Sequence, residues 1–423
     1  MKKILMIGGG VSGNAVAELA DILHIPCRVI SDSAAAGLSF EEIFADVELV
    51  VTSPGVLPES ALLQYARKNF LPIISELEFG IRHFPGRLVA VTGTNGKTTT
   101  VELTEFLLKK LGRKVVAAGN IGLPLSAVAA ELMRKKDPAA AEMIAVLEVS
   151  SFQLEYTDYL PAEAAVLLNV ESDHINRYPG GMAEYRAVKE RIFRNVPPEK
   201  CFYGASMSNA SSAGDFAIAD LQLFYKSCKV ADLHGSCFAA PHNQENLLAA
   251  LCLVGSIVDL EDKTAVLGSA ILEFQTGDHR ISLVAEFNGV KYIDDSKATN
   301  PAAVKAAVTA LEQVPHRNIV LIAGGLDKDM DFMPLGGLAP YLRKVVVYGR
   351  CGGLVAQAFE NRVECFDAGN DFALAVNHAA ANAVAGDVVL LSPAAASMDM
   401  FKDYKARGDE FARLVREFIA GIK

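Results

Sequence analysis

Val89-Ala90-Val91-Thr92-Gly93-Thr94-Asn95-Gly96-Lys97-Thr98-Thr99-Thr100 is an apolar run that enters a glycine-containing loop and leaves it through Gly-Lys-Thr. The order is that of a buried strand, a tight turn and the start of a helix. Backbone N–H groups of such a loop, backed by the helix N-terminus, cradle phosphates; Lys97 can neutralise the β and γ oxygens and Thr98 can hold Mg²⁺. Gly93, Thr94, Asn95, Gly96, Lys97, Thr98 and Thr99 therefore form a candidate nucleoside triphosphate site. The general pattern G-x-x-x-x-G-K-[ST] places its first glycine where this chain has Val91. The plainer alternative is a glycine-rich turn with an exposed lysine. Against it, the strand, loop and helix signals all agree.

Outward from this loop the chain repeats strand, turn and helix. Ile4–Ile7, Arg28–Ile30 and Leu49–Val51 are short apolar runs followed by Gly, Asp or Pro, and predict a small parallel α/β unit over residues 1–86. Phe84-Pro85-Gly86-Arg87 punctuates the chain before the strand Leu88–Val91. A second unit, residues 87–276, has strands at Leu88–Val91, Met143–Leu147 and Ala164–Leu168 and a helix around Glu245–Val254. Residues 204–240 are rich in Ser, Ala and Cys, lack clear periodicity and carry no assigned role. A hairpin, Ser282–Phe287 and Val290–Ile293 about Asn288-Gly289, then leads into strands Ile319–Ala323, Lys344–Tyr348 and Asp387–Leu391, a third α/β domain over residues 277–423. The expected architecture is a Rossmann-like N-terminal domain, a central P-loop-type ATP-binding domain and a Rossmann-like C-terminal domain. Ligands should gather at the carboxyl ends of their parallel strands.

Composition narrows the function classes. The 423 residues carry a net charge of −10, which argues against nonspecific nucleic-acid binding. No apolar run approaches the ~20 residues a spanning helix needs, and glycines interrupt the N-terminal run where a signal peptide would continue. Seven cysteines without a C-x-x-C pair read as reduced thiols of a cytoplasmic protein. Gly8-Gly9-Gly10-Val11-Ser12-Gly13, with Asp32 about 20 residues on, fits the dinucleotide fingerprint, but the same geometry binds any diphosphate, including that of a UDP-sugar. A UDP-linked ligand ranks above NAD because the chain already carries a triphosphate loop.

Thr92–Thr98 resembles the nucleotide loop of the Mur ligases. Leu147-Glu148-Val149-Ser150-Ser151-Phe152-Gln153-Leu154, Asn169-Val170-Glu171-Ser172-Asp173-His174 and Asp294-Asp295-Ser296-Lys297-Ala298-Thr299-Asn300-Pro301 match further motifs of that family in the same order. The run Leu391-Ser392-Pro393-Ala394-Ala395-Ala396-Ser397-Met398-Asp399-Met400-Phe401 resembles its D-glutamate-adding branch, and the Asp-Asn-Pro-Arg quartet of the diaminopimelate-adding branch is absent. The resemblance implies an acyl phosphate made from a substrate carboxylate and ATP, with UDP-N-acetylmuramoyl-L-alanine as acceptor and D-glutamate as nucleophile. A sibling ligase and a folylpolyglutamate-type ligase are the nearest alternatives, and residues 1–86 argue against the latter. An NAD-binding module with an ATPase domain is the alternative from another class.

The same resemblance assigns roles residue by residue. Lys97, Glu148, His174 and Lys189 are the catalytic set, and Thr98, Glu148, His174 and Lys189 hold magnesium, two ions in all, with Lys189 carried as a carbamate. A bare lysine repels Mg²⁺, whereas a carbamate offers two oxygens and a negative charge. Without the resemblance, Tyr185–Arg191 reads as a solvated helix face, Glu148 as a helix cap and His174 as a loop histidine. Asn243 and Asn246 are placed at the adenine, and Arg280, Asp295 and Lys297 at the phosphates and ribose. Asn120 falls near the acceptor, while Val11, Ser12, Asp32, Ser33 and Gly55 fall at the uracil and diphosphate. Thr299 and Lys328 would hold the α-carboxylate of D-glutamate, and Ser397 and the backbone at Tyr404 its side-chain carboxylate. The chain departs from the family in Ala239-Ala240-Pro241 ahead of His242, and in Tyr404 where Phe is common. A monomer that closes its domains about the ligands is expected.

Overall fold

The computed structural model describes residues 3–136, 138–207, 214–311 and 316–422. They form two compact units. One runs through Val170 and resumes over Ala183–Phe274; the other holds Glu171–Met182 and the chain from Gln275 onward.

The first unit contains two parallel sheets. Strands β1 (Lys3–Ile7), β2 (Cys27–Ile30), β3 (Val47–Thr52) and β4 (Ile73–Ser75) pair in the order β2-β1-β3-β4. The inner strand β1 reads as an unbroken apolar run because Ile4–Ile7 are buried on both faces. Helix Val11–Ile22 lies against the β1 turn so closely that a Cβ on Gly13 would overlap the Gly8 carbonyl oxygen.

Strands β5 (Arg87–Thr92), β6 (Val115–Gly119), β7 (Ile144–Glu148), β8 (Ala164–Leu167) and β9 (Cys201–Tyr203) form the central sheet, order β6-β7-β5-β8-β9. Helices Lys97–Lys110 and Pro241–Ile257 share one apolar core with it through Val101, Leu107, Leu247 and Leu251. Pro241 suits the first position of its helix, where an N–H has no helical acceptor. The stretch without sequence periodicity contains a small antiparallel sheet, β10 (Phe216–Ala219), β11 (Gln222–Tyr225) and β12 (Cys228–Asp232). It feeds Phe216, Leu223 and Ala231 into that same core.

Buried polar contacts join the two parallel sheets. Ser75 N donates to Tyr156 O at 2.7 Å, Ser126 N to Glu76 Oε1 at 3.0 Å, and Asp158 N to Glu78 Oε2 at 2.7 Å. Burial pushes the Glu76 carboxyl above its ordinary range.

In the second unit, β13 (Ser282–Phe287), β14 (Val290–Asp294), β15 (Ile319–Gly324), β16 (Leu342–Tyr348), β17 (Glu364–Asp367) and β18 (Val388–Ala394) pair in the order β13-β14-β18-β15-β16-β17, with β13 antiparallel to β14 and the others parallel. The fold is α/β, as the sequence pattern predicts. Strands β4, β6, β9 and β17 have no counterpart in the sequence reading, and each is a sheet edge. They are three to five residues long and partly exposed, and runs this short, even apolar ones such as Val115–Ala118, do not distinguish a strand from a turn or a piece of helix by periodicity.

Replacing Gly13 with alanine should destabilise the first unit by about 1–3 kcal/mol, because the helix must back away from the Gly8 carbonyl. Denaturant unfolding of Gly13→Ala against the unsubstituted chain measures this; an unchanged midpoint contradicts the close approach.

Candidate active site

All five central strands run parallel, so the turns after β6, β7, β5 and β8 emerge at one edge of the sheet. After β5 comes the glycine loop. Gly96, at φ +84, caps helix Lys97–Lys110, and a Cβ there would overlap Asn246 Oδ1. The loop carbonyls face cations: Lys97 Nζ donates to Gly93 O at 2.8 Å and to Thr94 O at 2.9 Å. Lys189 Nζ donates to Gly93 O at 2.8 Å. Lys189 is only 1% exposed and its ammonium lies 4.6 Å from the centre of the Tyr185 ring, so the solvated-face reading of Tyr185–Arg191 fails at this residue. Tyr185 itself, which the sequence did not single out, meets Thr94 Oγ1 through its hydroxyl at 3.4 Å.

Glu148 closes β7. Asn120, at the end of β6, donates from Nδ2 to Glu148 Oε1 at 2.7 Å, while Glu148 Oε2 is buried with no hydrogen-bond partner. A carboxylate oxygen left unpaired in the interior is costly and marks a place for a cation. The helix-cap role falls instead to Ser150, which forms a capping box with Gln153. Asn246 Oδ1 accepts from Thr100 Oγ1 at 3.4 Å, and its Nδ2 donates to Asn243 Oδ1 at 3.2 Å, so both asparagines stand beside the loop.

At the carboxyl edge of the N-terminal sheet, a cavity of about 410 Å³ is lined by residues that include Gly8, Ser31, Asp32, Gly55, Leu57, Glu59 and Ser60. Asp32 and Gly55 are thus brought together, whereas Val11, Ser12 and Ser33 are not part of that lining. Ser60 donates to Asp32 Oδ1 at 2.7 Å.

In the second unit β14, β18 and β15 are adjacent and parallel, and their carboxyl ends carry Asp295–Thr299, Ala395–Ser397 and Gly325–Lys328. Leu326 and Ala396 bridge these turns by mutual backbone hydrogen bonds of 2.8 and 3.1 Å. Ser397 is buried, Thr299 half-buried, and Lys328 Nζ lies 3.8 Å from Asp173 Oδ1. His174, next to Asp173, has φ 56, a backbone conformation uncommon away from glycine and frequent at functional positions. Tyr404 begins helix Tyr404–Ile422; its carbonyl accepts from Ser296 Oγ at 2.8 Å and its ring lies 4.1 Å from the Lys297 ammonium. Arg407 gave no signal within a charged amphipathic helix. It is fully buried and donates to Ser296 O at 2.8 Å and Ala395 O at 3.1 Å, tying two of the predicted turns together. Arg280 lies between His279 and Ile281, both at positive φ, and its N–H donates to Ser282 Oγ. Burial pushes the Asp295 carboxyl up to about 8, opposed by the Ser392 hydroxyl at 2.8 Å and by Arg280.

Among the described residues no three His, Cys, Asp or Glu side chains group as a self-contained metal centre. The orphaned Glu148 oxygen beside a phosphate-type loop fits instead a cation held jointly with a bound triphosphate.

A phosphate loop on one parallel sheet and a second α/β unit with its own polar turns define an ATP-using ligase fold, and the chain belongs to the Mur ligase family. The Mur ligase middle domain matches residues 91–213 and the Mur ligase glutamate ligase domain matches residues 279–395. The chain is similar to the UDP-N-acetylmuramoylalanine--D-glutamate ligase of Syntrophus aciditrophicus, 37% identical over 88% of this chain and 84% of that one. It is likewise 37% identical to the enzyme of that name from Frankia casuarinae, over 98% of this chain and 93% of the relative. Among solved structures, the UDP-N-acetylmuramate-alanine ligase of Thermotoga maritima shares the fold with a TM-score of 0.58 at 17% identity, covering 99% and 100% of the two chains.

Two outcomes follow from this geometry. Gly96→Ala should lower affinity for a non-hydrolysable ATP analogue at least roughly tenfold, since the added methyl needs both an unfavourable φ and the space of Asn246; titration calorimetry reads it. For Asp295, the unfolded chain has lost its proton above about pH 4, while the folded chain keeps it to about 8. Stability from this group is therefore full below the unfolded value and falls as pH rises through that window, vanishing above it. Asp295→Asn should flatten the decline, as urea midpoints taken between about pH 5 and 9 would show.

Proposed function

We propose that this chain joins D-glutamate to UDP-N-acetylmuramoyl-L-alanine, using ATP to convert the acceptor carboxylate to an acyl phosphate that the amino group then attacks with loss of phosphate. The observation that carries this is the 37% identity, spread over most of the chain, to ligases named for that reaction. Residues 1–86 would bind the UDP portion of the acceptor, residues 87–276 the ATP, and residues 277–423 the amino acid and part of the nucleotide.

In this reading Lys97 leaves the loop carbonyls to meet the β and γ oxygens, since phosphoryl transfer needs charge compensation more than covalent help. Asn243 and Asn246 hold the adenine, and Asp295, Lys297 and Arg280 the ribose and phosphates. Thr98, Glu148, His174 and Lys189 would hold Mg²⁺, in two ions, which when bound neutralises charge developing on the transferred phosphoryl group. The orphaned Glu148 oxygen supports its role, and the carbamate on Lys189 rests on the family resemblance. Asn120 fixes the Glu148 carboxylate and would face the acceptor. Asp32, Ser33, Gly55, Val11 and Ser12 would meet the uracil and diphosphate. Thr299, Lys328, Ser397 and the backbone at Tyr404 would hold the two carboxylates of D-glutamate, a role to which the positive end of helix Tyr404–Ile422 is suited.

A monomer working in the cytoplasm on small molecules completes the proposal. Seven unbridged cysteines fit a reducing compartment, and among the described residues no helix is long and apolar enough to cross a membrane.

Phosphate release from ATP and Mg²⁺ with UDP-N-acetylmuramoyl-L-alanine tests this, comparing D-glutamate with L-lysine, diaminopimelate and no amino acid. Release with D-glutamate alone is expected; release with another amino acid moves the chain to a sibling activity. Lys189→Ala should lower kcat roughly a hundredfold or more, the scale of losing one charge-stabilising group.

A further inference from the structure

Asn169, the second residue after β8, grips the triphosphate loop with both ends of its carboxamide. Oδ1 accepts from Asn95 N at 2.8 Å and from Thr94 N at 3.0 Å, and Nδ2 donates to Asn95 O at 3.2 Å. The Asn169 main-chain oxygen also accepts from Thr94 N at 3.0 Å. Strand β8 pairs directly with β5, Leu167 opposite Thr92, so the side chain reaches the loop from the neighbouring strand of a rigid sheet.

We propose that Asn169 is a positioning residue that keeps the Thr94-Asn95 peptide in the conformation ATP meets, so that little ordering of the loop remains when the nucleotide binds. This rests on the triphosphate reading of Gly93–Thr99 and not on the identity of the acceptor. A preorganised loop binds more tightly than one that orders on contact. Lys97 and Lys189 hold the carbonyls of Gly93 and Thr94, while Asn169 holds the N–H groups of Thr94 and Asn95 and the carbonyl of Asn95. The lysines can leave for phosphate or metal; Asn169, neutral and rooted in the sheet, has no such pull. Only a carboxamide serves all three bonds. Aspartate would accept from both N–H groups, but it would face the Asn95 oxygen with another acceptor and set a negative charge beside the phosphates.

The test measures binding of a non-hydrolysable ATP analogue with Mg²⁺ to the full chain by calorimetry, together with KM for ATP and for the acceptor. Asn169→Ala should weaken the analogue roughly tenfold and Asn169→Asp more, with the acceptor KM unchanged in both. Thermal unfolding checks that each variant is folded; should the alanine variant fail to fold, the aspartate variant, which retains both accepted bonds, carries the comparison. Unchanged analogue affinity in the variants, an equal rise in acceptor KM, or aspartate outperforming alanine overturns the proposal. Absence of binding to the unsubstituted chain overturns the triphosphate reading and this inference with it.

Discussion

The turn between β5 and helix Lys97–Lys110 has to keep its backbone polar groups satisfied without filling the space a phosphate would take. Buried N–H and C=O groups left unpaired are costly, and a loop that satisfied them internally would close on itself. This chain satisfies them from outside: Asn169 from the adjacent strand, Lys97 from the following helix and Lys189 from helix Gly181–Glu190. The neighbours of the loop are in turn placed by the same demand, Tyr185 under Lys189 and Asn246 over Gly96.

The parallel sheet makes this convergence geometrically cheap. Adjacent strands that run the same way deliver their following turns to one edge, so residues dozens apart in sequence become neighbours. Asn120 and Glu148 meet because β6 and β7 pair in register, Gly119 opposite Glu148. Within the second unit the same logic brings together the turns after β14, β18 and β15, and Arg407 locks two of them from a helix that arrives last in the chain.

Charge burial separates the structural from the functional groups. Glu78 is buried but shared among Arg82 and two backbone N–H groups, which explains it fully as an anchor between sheets. Glu148 is equally buried and has one oxygen left over. Burying a carboxylate in that state is unfavourable unless a cation completes it, and a bound metal ion beside the phosphate loop would do so.

By itself the sequence determined the α/β class, the inner strands and the loop Gly93–Thr99, because these depend on local signals: unbroken apolar runs, glycine placement and the Gly-Lys-Thr helix start. Its motifs also pointed to Glu148 and Asn120 individually. Only the tertiary structure decided that these two share a hydrogen bond, that Lys189 leaves an apparently solvated face for the loop, and that Asn169, Tyr185 and Arg407 belong with the candidate site. The edge strands and the β10–β12 sheet likewise emerged only in three dimensions. The reason is the same in each case: a side chain's neighbours across a sheet or between helices are set by pairing register and packing, and neither leaves a periodic mark on the chain that carries it.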